Sequence, residues 1–444
     1  MKNIVIAGAG GRDFHTFNVV YRNDPDARVV AFTAAQIPNI DHRTYPPELA
    51  GPYYPDGIPI VPQDELVHLI RDFGVDEVVF AYSDVAYSDL MHIGSKVMAA
   101  GADFKMVGAR ASMLHSSKPV VAVCATRTGC GKSQTSRTVA RYLQSRGLSV
   151  ALVRHPMPYG DLNAMRVQRF RTLEEIDASN PTIEEREEYE LPVREGVTVY
   201  AGVDYADILA LAEQDADVIL WDGGNNDLPF YTPDLMIVVA DALRVGHETK
   251  YYPGETNVLL ADVLVVNKVD SARPEGVELE VATLRNLNPG ATLLLAKSPA
   301  HLETDLDLTG RRVLVVEDGP TITHGGMAFG AGTVAARSSM AEVVDPRPFA
   351  VGSLRGVYER FPHIGAVLPA MGYGDEQLAE LAATIAVTPC EVVVSGTPID
   401  LEAALRAAGA PNHPIVHVAY DLDQMTKDRL ADVLEPFADK WLRR

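Results

Sequence analysis

The sequence predicts an α/β protein in which an N-terminal Rossmann-like doubly wound domain is followed by a P-loop NTPase parallel-sheet domain. Three observations carry this expectation. Short, wholly apolar runs alternate with helical apolar periods along most of the chain. The first run ends in a glycine-rich turn, and a later one, Val120–Ala125, leads straight into Thr126-Arg-Thr-Gly-Cys-Gly-Lys-Ser133. Apolar runs of this length read as strands buried on both faces, and their alternation with helices builds β-α-β units around a parallel sheet.

In chain order, residues 3–7, 27–33, 75–81 and 104–107 are expected strands of a first domain, residues 1–116. The turn Gly8-Ala-Gly-Gly-Arg-Asp-Phe-His15 lies at the carboxyl edge of its sheet, where such folds bind ligands. It departs from Gly-x-Gly-x-x-Gly because Asp13 stands at the third glycine, and strand 27–33 ends without an acidic residue for a nicotinamide ribose. A dehydrogenase is therefore disfavoured. Arg12, His15 and Asn18 remain candidates for holding a phosphate or carboxylate beside the following helix.

A second domain, residues 117–340, is expected to use strands at 120–125, 149–154, 218–221, 235–239, 263–266 and 292–295. Further apolar runs at 313–316, 364–368, 391–395 and 415–418 predict that this sheet continues through residues 341–444. Residues 317–348 are rich in Gly, Thr and Pro without a clear period, and read as a long functional loop or a subdomain boundary.

Composition narrows the function. The 444 residues suffice for two or three cores. Acidic residues outnumber basic ones by 60 to 39, a formal charge of −21, which argues against a broad footprint for nucleic acid or anionic lipid. Three cysteines without zinc spacing fit a reducing cytoplasm, and no run is long enough to span a bilayer.

In the P-loop pattern, glycines turn backbone N–H groups onto phosphate oxygens, a lysine reaches the β- and γ-phosphates, and a hydroxyl holds Mg²⁺. Gly131, Lys132 and Ser133 match, while Thr126 occupies the first glycine position. Thr128, Gly129, Cys130, Gly131, Lys132, Ser133 and Gln134 are the expected nucleotide contacts. The sub-pattern from Arg127 resembles the deviant P-loop of dethiobiotin synthetase, the nitrogenase iron protein and metallochaperone GTPases. Arg127 stands where some of these carry a lysine that reaches a partner subunit, and its alternative is a solvated loop arginine.

The run 217–222 delivers Asp222 followed by Gly223 and Gly224, as a Walker B strand does, so Asp222 is the expected Mg²⁺ partner of Ser133. Asn267-Lys268-Val-Asp270 resembles the guanine-reading motif of GTPases, which leaves both ATP and GTP open. Arg154, His155, Arg166, Arg169 and Arg171 form a density of cations in an acidic chain and predict a second anionic ligand. Arg186 lies in a charged helix, and His324 in a glycine-rich segment suited to covering phosphates.

Together these segments resemble cyclic 2,3-diphosphoglycerate synthetase and its relatives, over nearly the whole chain. The likeness rests on Gly8 to His15, the P-loop with Gln134-Thr-Ser-Arg137, Arg154-His-Pro-Met-Pro-Tyr-Gly-Asp-Leu162, Thr182-Ile-Glu-Glu-Arg-Glu-Glu-Tyr189 and Glu317-Asp-Gly-Pro-Thr-Ile-Thr-His324. It implies ATP-dependent closure of 2,3-diphosphoglycerate into an internal anhydride, with release of ADP and phosphate. Lys132, Arg154, His155 and Asp222 would then be catalytic, and Arg154, His155, Arg166, Arg169, Arg186 and His324 would hold the polyanion. The likeness to the deviant P-loop class implies a homodimer across the nucleotide, while cysteine usage points to the cytoplasm and the acidic charge to no nucleic-acid or membrane partner. Two other readings are a kinase of a phosphoglycerate-like acid and a GTP-switch metallochaperone, the latter needing a Cys/His cluster that the sequence lacks.

Overall fold

The computed structural model describes residues 1–35, 40, 42–156, 159–224, 226–371, 375–397, 401–407 and 413–442. The first apolar run becomes β1 (Lys2–Ala7), flanked by β2 (Ala27–Ala34) and by β5 (Glu77–Phe80). With β3 (Thr44–Tyr45), β4 (Ile58–Pro62) and β7 (Asp103–Met106) they form a sheet in the order β3-β4-β2-β1-β5-β7, parallel except at the β3–β4 edge. Between β5 and β7 the two-residue β6 (Val85–Ala86) leaves the sheet and pairs with a strand of the next domain.

The second sheet is built on β8 (Val120–Ala125), β9 (Val150–Arg154), β10 (Gln168–Phe170), β11 (Thr198–Ala201), β12 (Val218–Gly223) and β13 (Leu235–Asp241). After β14 (Tyr251–Tyr252), which pairs with β6, come β15 (Val263–Asn267) and β16 (Thr292–Leu295). The order is β10-β11-β9-β12-β8-β13-β15-β16, with the P-loop strand β8 in the interior. Every residue of β8, β12 and β13 is buried. Their side chains divide between two cores, one on each sheet face, which is why these strands read as continuous apolar runs rather than alternating ones.

Contrary to the expectation from the sequence, the later strands do not extend this sheet. β17 (Ala300–Leu302), β18 (Arg312–Asp318), β19 (Glu342–Val343), β20 (Leu368–Ala370), β21 (Val392–Gly396) and β22 (Ile415–Tyr420) form a third sheet in the order β17-β22-β21-β18-β19, with β20 also on β18. β16 is only partly buried and takes β15 as its one partner, while β17 turns away to pair antiparallel with β22. The third unit therefore starts near residue 300 rather than 341. Apolar strand runs show that a sheet exists but not which neighbours it has. The stretch 317–348, expected to be irregular, contains the helices Gly319–Ile322 and Ala331–Ser338.

The chain then returns. Helix Gln424–Leu442 places Leu430, Leu434, Ala438 and Trp441 in the core on the P-loop side of the second sheet. No helix among the described residues is long and apolar enough to cross a membrane.

Candidate active site

The P-loop joins β8 to the helix Lys132–Ser145. At Gly131 the backbone has φ +101°, and a Cβ there would lie 2.1 Å from Asn267 Nδ2, so no other residue fits without moving that side chain. The close approach has a purpose: Asn267 Nδ2 donates to Cys130 O at 2.8 Å. Lys268 Nζ donates to Gly129 O at 2.6 Å and to Asp241 Oδ2 at 2.8 Å. Asn267 and Lys268 thus brace the loop from β15, while Asp270 Oδ1 accepts from Ser298 N, and Ser298 Oγ donates to Gln134 Oε1. Cys130 is buried between Thr126 and Arg244, where burial pushes its thiol up and makes it a packing residue. Thr128 Oγ1 is buried with no partner among the described residues, and Ser133 is exposed to the cleft.

Asp222, 2% exposed at the end of β12, is the electrostatic centre. Its Oδ1 accepts from Lys132 Nζ at 2.7 Å and from Ser136 Oγ at 2.6 Å, and its Oδ2 is paired with Arg154 from the neighbouring β9. Arg154 in turn reaches Glu188 on the helix Ile183–Arg194, with Nη2 2.6 Å from Oε1 and Nε 3.1 Å from Oε2. Burial alone would raise the Asp222 carboxyl, but Arg154 and Lys132 more than offset it and hold it down at about 2. Ser133 and Asp222 face the same cleft and offer the hydroxyl and carboxylate oxygens that Mg²⁺ takes, provided Lys132 has moved from Asp222 to a phosphate.

These groups head a cleft of about 1270 Å³, walled by the P-loop and its helix, by the helix Ile183–Arg194, and by the strand ends Glu317, Asp318, Gly396 and Thr397 of the third sheet. The glycine-rich segment expected to be a lid is tied down: Glu317, 1% exposed, accepts from Gly330 N, Gly332 N, Thr333 N and Thr333 Oγ1. Thr321 packs against Gly129 of the P-loop.

The structure separates the cations that were grouped by sequence. Arg154 and Arg186 line the cleft, Arg186 pairing with Asp177 and Glu190. Arg166 pairs with Asp207 and Arg169 with Asp215, both outside the cleft lining, and Arg171 pairs with Glu175. His155 lies in the seam with the first domain, its Nδ1 3.1 Å from Asp227 Oδ2 and its ring among Tyr205, Trp221 and Phe230. Burial lowers it to about 4. His324 lends its carbonyl to Arg127 and turns its ring to Phe361. Met157 and Pro158 of the Arg154 segment lie outside the described residues. Side-chain spacing along the chain could not reveal these separations, because each arginine leaves a different element.

Arg127 is not a solvated arginine. It is 2% exposed, its Nε bonded to Asp84 Oδ1 of the first domain at 2.5 Å, Nη1 to His247 Nδ1, Nη2 to His324 O, and its guanidinium 3.5 Å above the Tyr251 ring. In the first domain Asp13 fills its own glycine turn, Oδ1 accepting from Gly10 N, Gly11 N and Phe14 N. Arg12, His15 and Asn18 are spent on the seam, contacting Leu228 O, Ser112 and Val203 O. Sequence reasoning missed Glu188, hidden in an acidic run, and Asp241, which had the same strand-end signal as Asp222 and holds Lys268 and Arg244.

Compared with known proteins, the chain is 53% identical over 438 residues to arginine synthetase ArcE of Thermococcus kodakarensis, covering 98% of this chain and 97% of that protein. The chain belongs to the arginine synthetase ArcE family. No family profile matches it. Solved structures similar to it include LpxK from Aquifex aeolicus in complex with ATP, at a TM-score of 0.38 and 15% identity over 73% of this chain and 90% of that one. A ParA family ATPase from Chlorobium tepidum TLS follows at 0.24 and 14%, over 40% and 83%. These two likenesses are too distant to bear on function.

Proposed function

We propose that the chain is an ATP-dependent synthetase that phosphorylates an oxygen on carbon and replaces it with nitrogen, forming arginine as its Thermococcus relative is named for. The observation that carries this reading is the meeting of Lys132, Asp222 and Arg154 at the head of one cleft, in a chain collinear with that relative. The cleft exceeds the roughly 300–1,000 Å³ of an ordinary ligand pocket, which leaves room for an acceptor beside a nucleotide.

The guanidino group is a ureido group whose oxygen has become nitrogen, so a δ-ureido acid is the acceptor that phosphoryl chemistry can turn into arginine. Its oxygen attacks the γ-phosphorus, the bond to the β-phosphate oxygen breaks, and ADP leaves. Ammonia then adds to the activated carbon, the carbon–oxygen bond breaks, phosphate leaves with that oxygen, and the surplus ammonia proton passes to solvent. Lys132 swings from Asp222 to the β,γ-bridge, while Arg154 keeps Asp222 ionised beside the moving phosphoryl. Ser133 and Asp222 would hold Mg²⁺, which would supply charge neutralisation to the phosphates when bound. Asn267 and Lys268 brace the P-loop and Asp270 accepts from Ser298 N, so this motif does not select the base, and ATP rather than GTP follows from the synthetase reading.

A second acceptor, 2,3-diphosphoglycerate with closure to its internal anhydride, is supported by the order of the segments quoted above. It is weakened by the dispersal of Arg166 and Arg169 into outer ion pairs, since adjacent phosphates need cations that converge.

The test supplies ATP or GTP, Mg²⁺, ammonia and either the δ-ureido analogue of arginine or 2,3-diphosphoglycerate, and follows products by phosphorus NMR and amino-acid analysis. Arginine, ADP and phosphate in equal amounts are expected, with Lys132→Ala slower by about 10²- to 10³-fold. A cyclic anhydride without arginine formation selects the second acceptor and sinks the first.

A further inference from the structure

One arm of the cleft runs away from the phosphate end between two helices. The P-loop helix contributes Ser133, Ser136, Arg137 and Ala140, a stripe at i, i+3, i+4 and i+7 that lies on a single face. Opposite stand Glu188, Leu191 and Pro192 of the helix Ile183–Arg194, and Leu152 and Val197 close the floor. The far end carries Glu195, which accepts from Arg141 Nη2 at 2.5 Å and Nε at 3.0 Å, with Gln144 Nε2 on its carbonyl at 3.3 Å. The arm thus mixes the apolar surface of Ala140, Leu152, Leu191, Pro192 and Val197 with the polar groups of Ser136, Arg137 and Glu188, and it opens at the Asp222–Arg154–Glu188 chain of charges.

Two polar groups in it are placed for a ligand. Glu188 spends one hydrogen bond per oxygen on Arg154, keeps a lone pair on each, and is open to the cleft. Arg137 makes no hydrogen bond or ion pair with any described residue, and its Nε is buried without a partner. The carboxylate that senses it, Asp421, already holds Arg141 and Lys427. A cation kept in an apolar-floored groove without an anion of its own is an anion site, and a planar guanidinium suits a carboxylate in particular. Five residues of helix separate Lys132 from Arg137, a rise of about 7.5 Å. That span suits an amino acid with three methylenes extended between its two polar ends.

We propose that this arm is the amino-acid subsite. The α-carboxylate of the acceptor or product binds Arg137, its methylenes lie on Ala140, Leu152 and Leu191, and the N–H edge of its ureido or guanidino group meets Glu188. The reacting carbon then lies next to the γ-phosphate. This assignment rests on the arginine-forming reading and adds to it the residues that select the substrate.

The test is calorimetric titration of the full chain, with nucleotide present, by arginine and by its decarboxylated analogue. Arg137→Ala is expected to weaken arginine by about 10- to 100-fold, as loss of a charge-assisted bidentate pair does. Arg137→Lys should restore part of that loss, ATP affinity should hold within about twofold, and the decarboxylated analogue should bind wild type and variant alike. Undiminished arginine binding by Arg137→Ala overturns the assignment while leaving the reaction standing. Equal losses for arginine and for the analogue overturn it too, since they mark a structural role. Failure of the wild-type protein to bind arginine at all removes the reaction and the subsite together.

Discussion

Asp222 shows how much one carboxylate can organise. It ties the P-loop lysine, a serine one turn along the P-loop helix and the arginine of the adjacent strand to one point, before any phosphate arrives. Two other carboxylates do the opposite and close sites. Asp13 and Glu317 occupy backbone N–H groups at glycine turns that could otherwise cradle an anion. Both were visible as residues, Asp13 as a broken glycine motif, but only folding showed that Asp13 fills its own turn and Glu317 the turn at Gly330–Thr333. Titration separates the histidines in the same way. His155 is held neutral by burial down to about 4, whereas in the unfolded chain it takes its proton near 6.5. Between those values the unfolded state binds more protons, so the contribution of this group to stability is complete above about pH 6.5 and lost as pH falls toward 4. An NMR titration should show the His155 imidazole signal flat from pH 7.5 to 5; movement centred near 6.5 would contradict the burial described.

Among the elements, the P-loop is held from three directions. β15 supplies Asn267 and Lys268, β13 leads to Arg244 on Cys130, and the loop after β5 supplies Asp84 to Arg127. The strand, glycine loop and helix of this motif were legible because they are contiguous, and the apolar period announces both neighbours. The partner of Arg127 was not, since Asp84 is 43 residues away in the loop after β5 of the first sheet. Removing one member of a buried pair leaves the other charge uncompensated, which costs about 3–5 kcal/mol. Asp84→Ala should lower the denaturant stability by that order and weaken nucleotide binding through the displaced loop. Pairing it with Arg127→Met should recover part of the stability. If Asp84→Ala unfolds at the wild-type midpoint, the brace carries no energy.

At the scale of the whole molecule, three sheets are joined by side chains and by a returning helix. The first sheet meets the second through β6 on β14, the Arg22–Asp204 pair at 2.8 Å, and His15 stacked on Phe230 with ring centroids 4.0 Å apart. The third sheet is closed onto the second by helix Gln424–Leu442, whose Leu430, Leu434 and Trp441 enter the core under the P-loop helix. Each such side chain contributes about 1.5–3 kcal/mol on burial. A chain ending before Gln424 should therefore lose cooperative unfolding and nucleotide binding together, measured by thermal melting with and without ATP. A truncated chain that melts like the full one would show the helix to be dispensable. The sequence alone determined the α/β class, most of the strands, the P-loop with Lys132 and Ser133, and the strand-end Asp222, because these depend on local periodicity and contiguous motifs. Only the tertiary structure decided that the last strands form a separate sheet. It also buried Arg127 against Asp84, sent Arg166 and Arg169 outward, and brought Glu188 and Arg137 to opposite walls of one groove. Those outcomes depend on which elements become neighbours, and neither composition nor spacing along one chain encodes that.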